Sequence, residues 1–505
     1  MTLNRRTGSG RILFCLLTGS LIPEGFKLIA VGERCATPTE LSTKDFIDPE
    51  RVKHAARSVT PSGSKSLFHR SNRGRRTTSP TVIKLNPFGI DKNQGALMLR
   101  TMCLKNLFAI IFVFVPALVG TNDLKAPPSS APRVFLLDAK QLQATKLRIQ
   151  SGDKTLEPAI IKLERDAQKA LPSGPFSVVT KDATPPGGDK HDYMSQAPYF
   201  WPDPKSANGL PYIRRDGERN PEINKITDHR SLDQVESSVE TLALAYYFKG
   251  DEAYAAKAVQ LLHAFFLDPA TRMNPNLQYA QFIPGVNTGR GIGLIETRGL
   301  TQIVDAIGLL AGSKSLTEAD RRGLDGWYAK FLQWMLESKN GRDEAAAKNN
   351  HGTYYDLQVT SFALFLGKID LARSILETSR TKRIALQIEP DGRQPLELAR
   401  TRAWSYSVGN LDGLMLLARL GENIGVDLWN YQTADGRSIR KALEFLVPFA
   451  VEGKKWSYQQ LGEWPPQMLF PLMRRAVTKY SDPQFHALSA KVPSVDAADR
   501  SNLLS

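Results

Sequence analysis

Two short segments of the sequence carry residue types that can transfer protons and bind an acid group. Residues 349–356 read NNHGTYYD, and residues 400–406 read RTRAWSY. Each segment also has an ordinary structural interpretation. The first can open a helix with an asparagine as its N-cap, because amide side chains are favoured at helix starts. The second can be a solvated helix end whose tryptophan packs inward.

Taken together, the two segments supply the groups needed for β-elimination from a uronic-acid polymer. In that reaction a base removes the C5 proton of the uronate, and an acid protonates the 4-linked oxygen as it leaves. The C5 proton is not acidic while the neighbouring carboxylate keeps its charge, so amide and guanidinium donors must neutralise that carboxylate. Asn350 and Arg400 are donors of these types. His351 can act as the base near neutral pH, and Tyr406 can act as the acid.

An arginine close to the tyrosine bears on the stereochemical course of the elimination. A neighbouring arginine is expected to lower the pKa of Tyr406, because a positive charge stabilises the phenolate. The same tyrosine can then serve as both base and acid, as a syn elimination requires. The sequence leaves the syn or anti course open.

Further polar and aromatic residues are candidates for binding the substrate. Many lie in segments rich in Gly, Asn and aromatic residues, where turn formation and loop anchoring are equally ordinary roles. The candidates are Asn349, Arg402, Asn287, Arg290, Gln278, Tyr199, Trp201 and His229. His229 and Arg230 stand at the end of a long polar segment, about 179–230, and loops of that length are usually functional.

The elements that must position these residues are predicted to be helices. From about residue 136 onward, apolar residues recur at three- and four-residue spacing, which is typical of amphipathic helices. Ser315 and Glu318 are predicted to form the capping box of one of them. Short turns at Gly250 and Gly367 make neighbouring helices antiparallel. No fixed-length repeat is present, which disfavours a regular solenoid. The predicted fold class is therefore all-α, an incomplete (α/α) toroid of antiparallel helical hairpins, with a disordered N-terminal extension.

The N-terminal part of the chain differs from this helical body. Residues 98–120 have a basic start, a short apolar core and small residues at the end, which is typical of a secretory signal peptide. Residues 1–97 show little periodicity and are predicted to be a disordered or spurious extension. Residues 121–135 are predicted to be a flexible Pro/Ser linker, and 136–490 the catalytic domain. We therefore expect an exported protein, periplasmic or secreted, that works as a monomer.

Charge and cysteine content argue against several classes of function. The net charge is +15, but residues 1–97 alone contribute +9, so a nucleic-acid-binding role loses support, whereas a mildly basic body suits a polyanionic substrate. All three cysteines lie at or before Cys103, so the body has neither a disulfide framework nor a thiolate zinc site. Its five histidines show no close metal-ligand spacing, and neither a metal nor another cofactor is predicted.

The two motif segments, together with YMSQAPYFWP at 193–202, resemble the alginate lyase family. The version in this chain is most similar to the alginate and glucuronan lyases that carry an N-N-H-G-T motif. The resemblance implies an (α/α) toroid over roughly 190–475. It also implies carboxylate neutralisation by Asn350 and Arg400, with His351 as base and Tyr406 as acid or acid and base. In the better-known alginate lyases an aromatic residue closely follows the histidine. Gly352 and Thr353 stand there in this chain, which leaves open whether alginate or glucuronan is the polymer.

Two other functions remain as alternatives. A glycoside hydrolase on the same kind of toroid needs two facing carboxylates, one with a raised pKa. Asp356, Glu397, Glu296 and Asp233 are the candidates for that pair. A non-catalytic scaffold or glycan-binding module would instead tolerate replacement of His351 and Tyr406.

Overall fold

The computed structural model describes residues 131–504, and most of these residues are helical. The α-helices of this part of the chain are α1 Ala139–Gln150, α2 Glu157–Ala170, α3 Asp228–Lys249, α4 Glu252–Leu262, α5 Leu300–Leu309, α6 Glu318–Glu337, α7 Lys339–Ala345, α8 Asn350–Phe365, α9 Ile369–Ser379, α10 Pro395–Leu398, α11 Ala403–Glu422, α12 Ile439–Val451, α13 Phe470–Lys479, α14 Pro483–Ser489 and α15 Ser501–Leu504. Residues 131–504 also contain three 3₁₀ helices, at Pro221–Lys225, Gly291–Thr297 and Pro466–Leu469, and π-helical turns at His263–Leu267 and Arg380–Ala385.

Four short strands lie in the loops between the helices of the described part of the chain. They are β1 Met194–Gln196, β2 Phe200–Trp201, β3 Ile213–Arg214 and β4 Tyr279–Phe282. β1 pairs in parallel with β4, and β2 pairs antiparallel with β3. The polar segment predicted at 179–230 is therefore an ordered structure with three of these strands.

Local sequence signals set several of the helix ends. Gly250 ends α3 at φ +74°, in the left-handed region that favours glycine. Asp251 then caps α4 through its side chain, which makes the predicted antiparallel turn. The capping box of α6 is formed by Thr317 and Asp320. The prediction of Ser315 and Glu318 was therefore two residues too early, because the Ser315 N–H and hydroxyl both donate to a glutamate of α4.

Seven of the described helices pack in two rows. α5 packs against both α3 and α8, and α8 packs in turn against α11, so these four form a continuous inner row. α4, α9 and α12 pack against α3, α8 and α11 as a second row. Nearly every residue of α8 is buried, as expected for an inner helix enclosed by neighbours. The predicted fold class, an all-α incomplete (α/α) toroid, is confirmed.

The ordered body is longer at both ends than the predicted range 136–490. Arg133 donates to two carbonyl groups at the end of α8, at 3.0 and 2.9 Å. The buried Asp305 carboxylate accepts the N–H groups of residues 135–137 at 2.7 to 2.9 Å. At the other end, Leu503 is fully buried where α15 packs against α1 and α2. The last residues of the predicted linker are thus bound to the helical body.

Other predictions concern residues that the structure does not describe. The extension 1–97, the signal peptide 98–120 and the linker up to residue 130 lie outside the described residues. Over 131–504, none of the helices combines the length and the apolar character that spanning a bilayer requires.

Candidate active site

A cavity of about 840 Å³ contains residues from both motif segments. Its wall is built from the long polar segment, from β4 and the loop after it, from the start of α8, and from the start of α11. The polar and aromatic residues of the wall include Tyr199, Arg214, Arg219, His229, Arg230, Gln281, Arg290, Glu296, Arg298, Asn349, Asn350, His351, Tyr354, Arg400 and Tyr406. Two stretches that lie fifty residues apart in the chain therefore meet at one site.

The imidazole of His351 is held from one side by a buried carboxylate. His351 is the second residue of α8, and its Nδ1 lies 2.7 Å from Oε1 of Glu344 in α7. The Glu344 side chain is 1% exposed and that of His351 is 14% exposed. Of these two side chains, the imidazole is therefore the one that reaches the cavity. A carboxylate at Nδ1 holds a proton there and leaves Nε2 as the acceptor. This arrangement suits a general base.

The amide of Asn350 is fixed in a similar way by a second buried acid. Its backbone N–H and its Nδ2 donate to the two oxygens of Glu397, at 2.6 and 2.7 Å. Glu397 thereby satisfies the first N–H of α8, where a negative charge also favours the helix dipole. Asn349 occupies the N-cap position, but its side chain makes no capping hydrogen bond. The side chain of Asn349 therefore does not act as the cap of α8.

A buried ion pair shapes the turn between α7 and α8. Arg383 bonds both oxygens of Asp356, at 2.8 and 3.0 Å, and donates to the carbonyls of residues 345 and 347. Gly352 packs against this turn so closely that a Cβ would lie 2.1 Å from a carbonyl oxygen. Only glycine fits there without movement of the turn. This packing explains why glycine follows His351 in the motif.

The phenol of Tyr406 belongs to a hydrogen-bonded cluster. Arg400 Nη2 donates to the Tyr406 oxygen at 2.8 Å, and Tyr406 donates to the hydroxyl of Tyr199 at 2.9 Å. Arg400 also makes a bidentate pair with Asp216, at 3.0 Å from Nε and 2.8 Å from Nη2. The Thr401 N–H and hydroxyl donate to the same carboxylate. Asp216 thus joins the polar segment to the start of α11.

The net shift of the Tyr406 pKa has the opposite direction to the one predicted. Burial raises the pKa of Tyr406 well above its usual value, and the hydrogen bond with Tyr199 adds to the rise. Arg400 acts in the lowering direction, as expected, but desolvation of the phenolate outweighs it. The lowering contribution predicted for an arginine is present, but the net shift of the Tyr406 pKa is upward. A phenol that stays protonated suits an acid better than a base.

Positive charge is unevenly paired around the cavity. Arg214 and Arg400 both pair with Asp216. Four other arginines on the wall have no carboxylate within ion-pair distance among residues 131–504: Arg219, Arg230, Arg290 and Arg298. Over the same range, no three His, Cys, Asp or Glu side chains cluster as metal ligands. The cavity therefore offers unpaired guanidinium groups to an anionic ligand.

Four of the predicted binding residues are not part of the cavity wall, whereas Asn349, Arg290, Tyr199 and His229 are. Gln278 is exposed on the loop before β4. Asn287 accepts the N–H of Ile283 at 3.1 Å, so it stabilises a turn. Trp201 donates to a loop carbonyl at 3.0 Å and anchors that loop. Arg402 precedes α11 and forms a backbone bridge there. The turn and anchoring interpretations therefore fit Asn287 and Trp201.

The carboxylates that a hydrolase would need already have partners. Glu296 accepts hydrogen bonds from a tyrosine and a serine hydroxyl, at 2.9 and 2.6 Å. Burial raises the pKa of Glu397, but Asn350 occupies both of its oxygens. Asp356 is paired with an arginine, and Asp233 lies 3.6 Å from a histidine. Among these four acids, the geometry gives no facing acid and base of the kind that glycoside hydrolysis requires.

Sequence reasoning missed Glu344 and Asp216. Glu344 stands between Asp343 and a run of three alanines, and Asp216 stands in a loop rich in charges. Neither has a spacing that relates it to the motifs, because each partner lies on another element. The general rule that a buried acid needs a partner becomes useful only once burial is known.

Comparison with known proteins agrees with the motifs. The model of the family described as alginate lyase matches residues 177–456. A crystal structure of an alginate lyase from Bacteroides ovatus is 42% identical, with a TM-score of 0.71, over 74% of this chain and 99% of that chain. A crystal structure of alginate lyase A1-III from Sphingomonas species A1 is 17% identical, with a TM-score of 0.46, over 75% of this chain and 99% of the other. No curated protein sequence matches. With a family match over more than half of its length and a 42% identical relative that it covers almost entirely, the chain belongs to the alginate lyase family of polysaccharide lyases.

Proposed function

We propose that this protein cleaves 1,4-linked uronic-acid polymers, alginate or glucuronan, by β-elimination. The observation that carries the proposal is the meeting of His351 and Tyr406 on one cavity wall, with an amide beside the imidazole. The relative from Bacteroides ovatus is described as an alginate lyase, which favours alginate as the first polymer to test. The arginines without carboxylate partners support an anionic polymer over a neutral one.

In the proposed reaction, Nε2 of His351 takes the C5 proton of the uronate. The electron pair of the broken C–H bond forms the C4=C5 double bond as the C4–O bond breaks. Tyr406 gives its proton to the leaving oxygen, which becomes a hydroxyl group on the departing chain. The hydrogen bond from Arg400 at 2.8 Å supports this role, because a guanidinium beside the phenol stabilises the phenolate that forms as the proton leaves.

Asn350 is proposed to stabilise the charge that develops on the uronate carboxylate. Its Nδ2 has a second hydrogen that Glu397 does not use. The positive end of the α8 dipole lies at the same place, and both effects are strongest for negative charge held close to the helix start. Arg400 is proposed to orient Tyr406 through the 2.8 Å hydrogen bond. Export to the periplasm or the medium, with the signal peptide at 98–120, remains part of the proposal.

The test is a panel of alginate, glucuronan and other polyuronates read by near-ultraviolet absorbance. Elimination leaves a conjugated double bond that absorbs there, whereas hydrolysis produces new reducing ends without absorbance. We expect absorbance with at least one polymer, and a loss of about 10³-fold in kcat for Tyr406→Phe, in line with the usual size of general acid catalysis. Arg322→Gln, an exposed change on α6 away from the cavity, is the control. Reducing ends without absorbance would favour the hydrolase, and no change in any polymer would end the proposal.

A further inference from the structure

We propose that the Lys181 ammonium serves as a built-in monovalent cation, held in a cage of oxygen atoms that fixes one side of the cavity. Lys181 belongs to the long polar segment but is not part of the cavity wall. It is therefore a positioning residue, and it acts through the wall residues that its cage holds in place. The inference deepens the proposed function, and its kinetic readout rests on that function.

The oxygen atoms around Lys181 come from several parts of the chain. The Lys181 side chain is fully buried, which is rare for a lysine. Its Nζ donates to the backbone carbonyls of Val178 at 2.7 Å, Lys190 at 2.7 Å and Asp192 at 2.8 Å. Oδ2 of Asp228, whose side chain is also fully buried, lies 2.9 Å from the same Nζ. Carbonyl and carboxylate oxygens arranged in this way are the ligands that proteins use to bind hard cations.

This cage requires a positive charge at its centre. Burial raises the pKa of Asp228 to about 6, and the charge of Lys181 opposes that rise. The three carbonyl groups are acceptors, so only a donor or a cation can satisfy them. Removal of the ammonium would leave three carbonyls and a carboxylate without their common partner inside the protein. An unpaired buried charge of this kind is strongly destabilising.

A lysine ammonium does not use all of the acceptors that the cage offers. Nζ has three hydrogens and faces four oxygen atoms. The second carboxylate oxygen, Oδ1 of Asp228, is buried too, and within 131–504 it has no hydrogen-bond partner. A free ammonium ion has four hydrogens and can donate one to each oxygen around Nζ once the lysine side chain is absent. The cage is therefore suited to ammonium itself.

The cage connects two pieces of the cavity wall. Asp228 is the first residue of α3, and the next two residues, His229 and Arg230, line the cavity. Oδ2 of Asp228 also accepts the N–H of Met194, at the start of β1, at 2.8 Å. The chain after β1 leads to Tyr199, whose hydroxyl accepts the hydrogen bond of the phenol proposed as the acid. The Lys181 ammonium thus holds the start of α3 and the polar segment at a fixed distance.

Removal of the lysine side chain provides the test. Lys181→Ala empties the cage, and the variant is refolded and assayed in ammonium chloride or in tetramethylammonium chloride at the same concentration. Tetramethylammonium carries the same charge, but it has no N–H group and is too large for the cage. In tetramethylammonium we expect kcat/KM on a polymer that the parent cleaves to fall by about 10- to 10²-fold, the effect of a small misplacement of binding groups. In ammonium it should return to within about threefold of the parent, because the bound ion favours the native arrangement.

Thermal melting gives a readout that does not require activity. A ligand that binds only the folded protein raises its melting temperature as the ligand concentration increases. The melting temperature of Lys181→Ala should therefore rise with ammonium concentration relative to tetramethylammonium. That of the parent should be the same in both salts. Equal ionic strength keeps the screening of the polymer charge equal in the two assays.

Two further variants serve as controls. Lys181→Met keeps an unbranched side chain in the cage but removes the charge, so it should be impaired and should gain nothing from ammonium. Lys205→Met removes an exposed lysine from the same polar segment. It should keep the kinetics and the melting temperature of the parent in both salts.

The outcomes can be told apart. Recovery of Lys181→Ala in ammonium, without recovery of Lys181→Met, would support the inference. It would be overturned by a Lys181→Ala variant that matches the parent in tetramethylammonium, that stays impaired or unfolded in both salts, or that recovers no more than Lys181→Met. A parent protein that forms no double bond on any polymer would instead remove the proposed function, and the melting temperatures would still test the cage.

Discussion

The two walls of the cavity differ in how their charged and polar groups are paired. On the wall formed by α8 and the start of α11, three polar groups of the motifs are bonded to acids of other elements: His351 to Glu344, Asn350 to Glu397, and Arg400 to Asp216. On the other walls, four arginines have no such acid in the part of the chain that the structure describes. The cationic and polar groups of the first wall are paired with acids of the protein, whereas the arginines of the second wall keep an unpaired positive charge.

This difference separates positioning from binding. A proton-transfer group must be held within a few tenths of an ångström of its working geometry, and a buried hydrogen-bonded carboxylate can hold it there. A binding wall gains instead from charges that no internal acid neutralises, because the polymer supplies the counter-ions. Loss of an acid from the first wall should lower kcat. Loss of an arginine from the second should raise KM.

Among residues that hold the reacting groups or the substrate in place, the largest effect should come from breaking the His351–Glu344 pair. Glu344→Gln keeps the shape but removes the negative charge, and it can present either its amide or its carbonyl to Nδ1. Since the imidazole must accept the C5 proton, we expect kcat to fall by about 10²-fold with KM nearly unchanged. Glu337→Gln, an exposed glutamate on the preceding helix, is the matched control. A rise in KM with an intact kcat would mean that Glu344 supports binding instead.

The next effect should be on stability, through Asp216. Hydrogen bonds from Arg400 and Thr401 hold the pKa of Asp216 well below its usual value, despite its partial burial. A carboxyl with a lowered folded-state pKa stabilises the fold above the pKa of the unfolded chain, near 3.8, and this contribution is lost as the pH falls through the folded-state value. At pH 7 we expect Asp216→Asn to lower the free energy of unfolding by about 2 kcal/mol, the scale of hydrogen bonds to a charged group.

Denaturant unfolding of the parent and Asp216→Asn between pH 3 and pH 7 checks this expectation. The difference between the two proteins should shrink as the pH falls below about 4. Asp391→Asn is a suitable control, because Asp391 pairs with an arginine on the surface, where both side chains are half exposed. A difference that stays constant over the whole range would show that the charge of Asp216 is not what stabilises the fold.

The sequence predicted one wall better than the other. Helix periodicity and short turns predicted a row of helical hairpins, and the resemblance of the motifs to the alginate lyase family implied the toroid and the meeting of the 349–356 and 400–406 segments. The acids that hold those motifs were not predictable, because Glu344 and Asp216 are related to their partners by packing and not by spacing. Among the binding candidates, Arg290 lines the cavity whereas Asn287 stabilises a turn, although both stand in one glycine-rich loop. Which side chain of a loop faces a cavity depends on its backbone conformation, and residue types alone do not determine that.

The smallest effect should follow the loss of one arginine from the positive wall. Arg230 stands at the start of α3, is exposed, and has no acid partner over 131–504. Because solvent and salt screen an exposed charge, Arg230→Gln should raise KM for polyuronate only about two- to fivefold and leave kcat unchanged. The increase should disappear at high salt, where the Debye length falls to about 3 Å. Initial rates at several salt concentrations, with Arg322→Gln as the control outside the cavity, measure this effect. If kcat fell instead, as for Glu344→Gln, Arg230 would belong with the residues that position the reacting groups, and the contrast between the two walls would fail at this position.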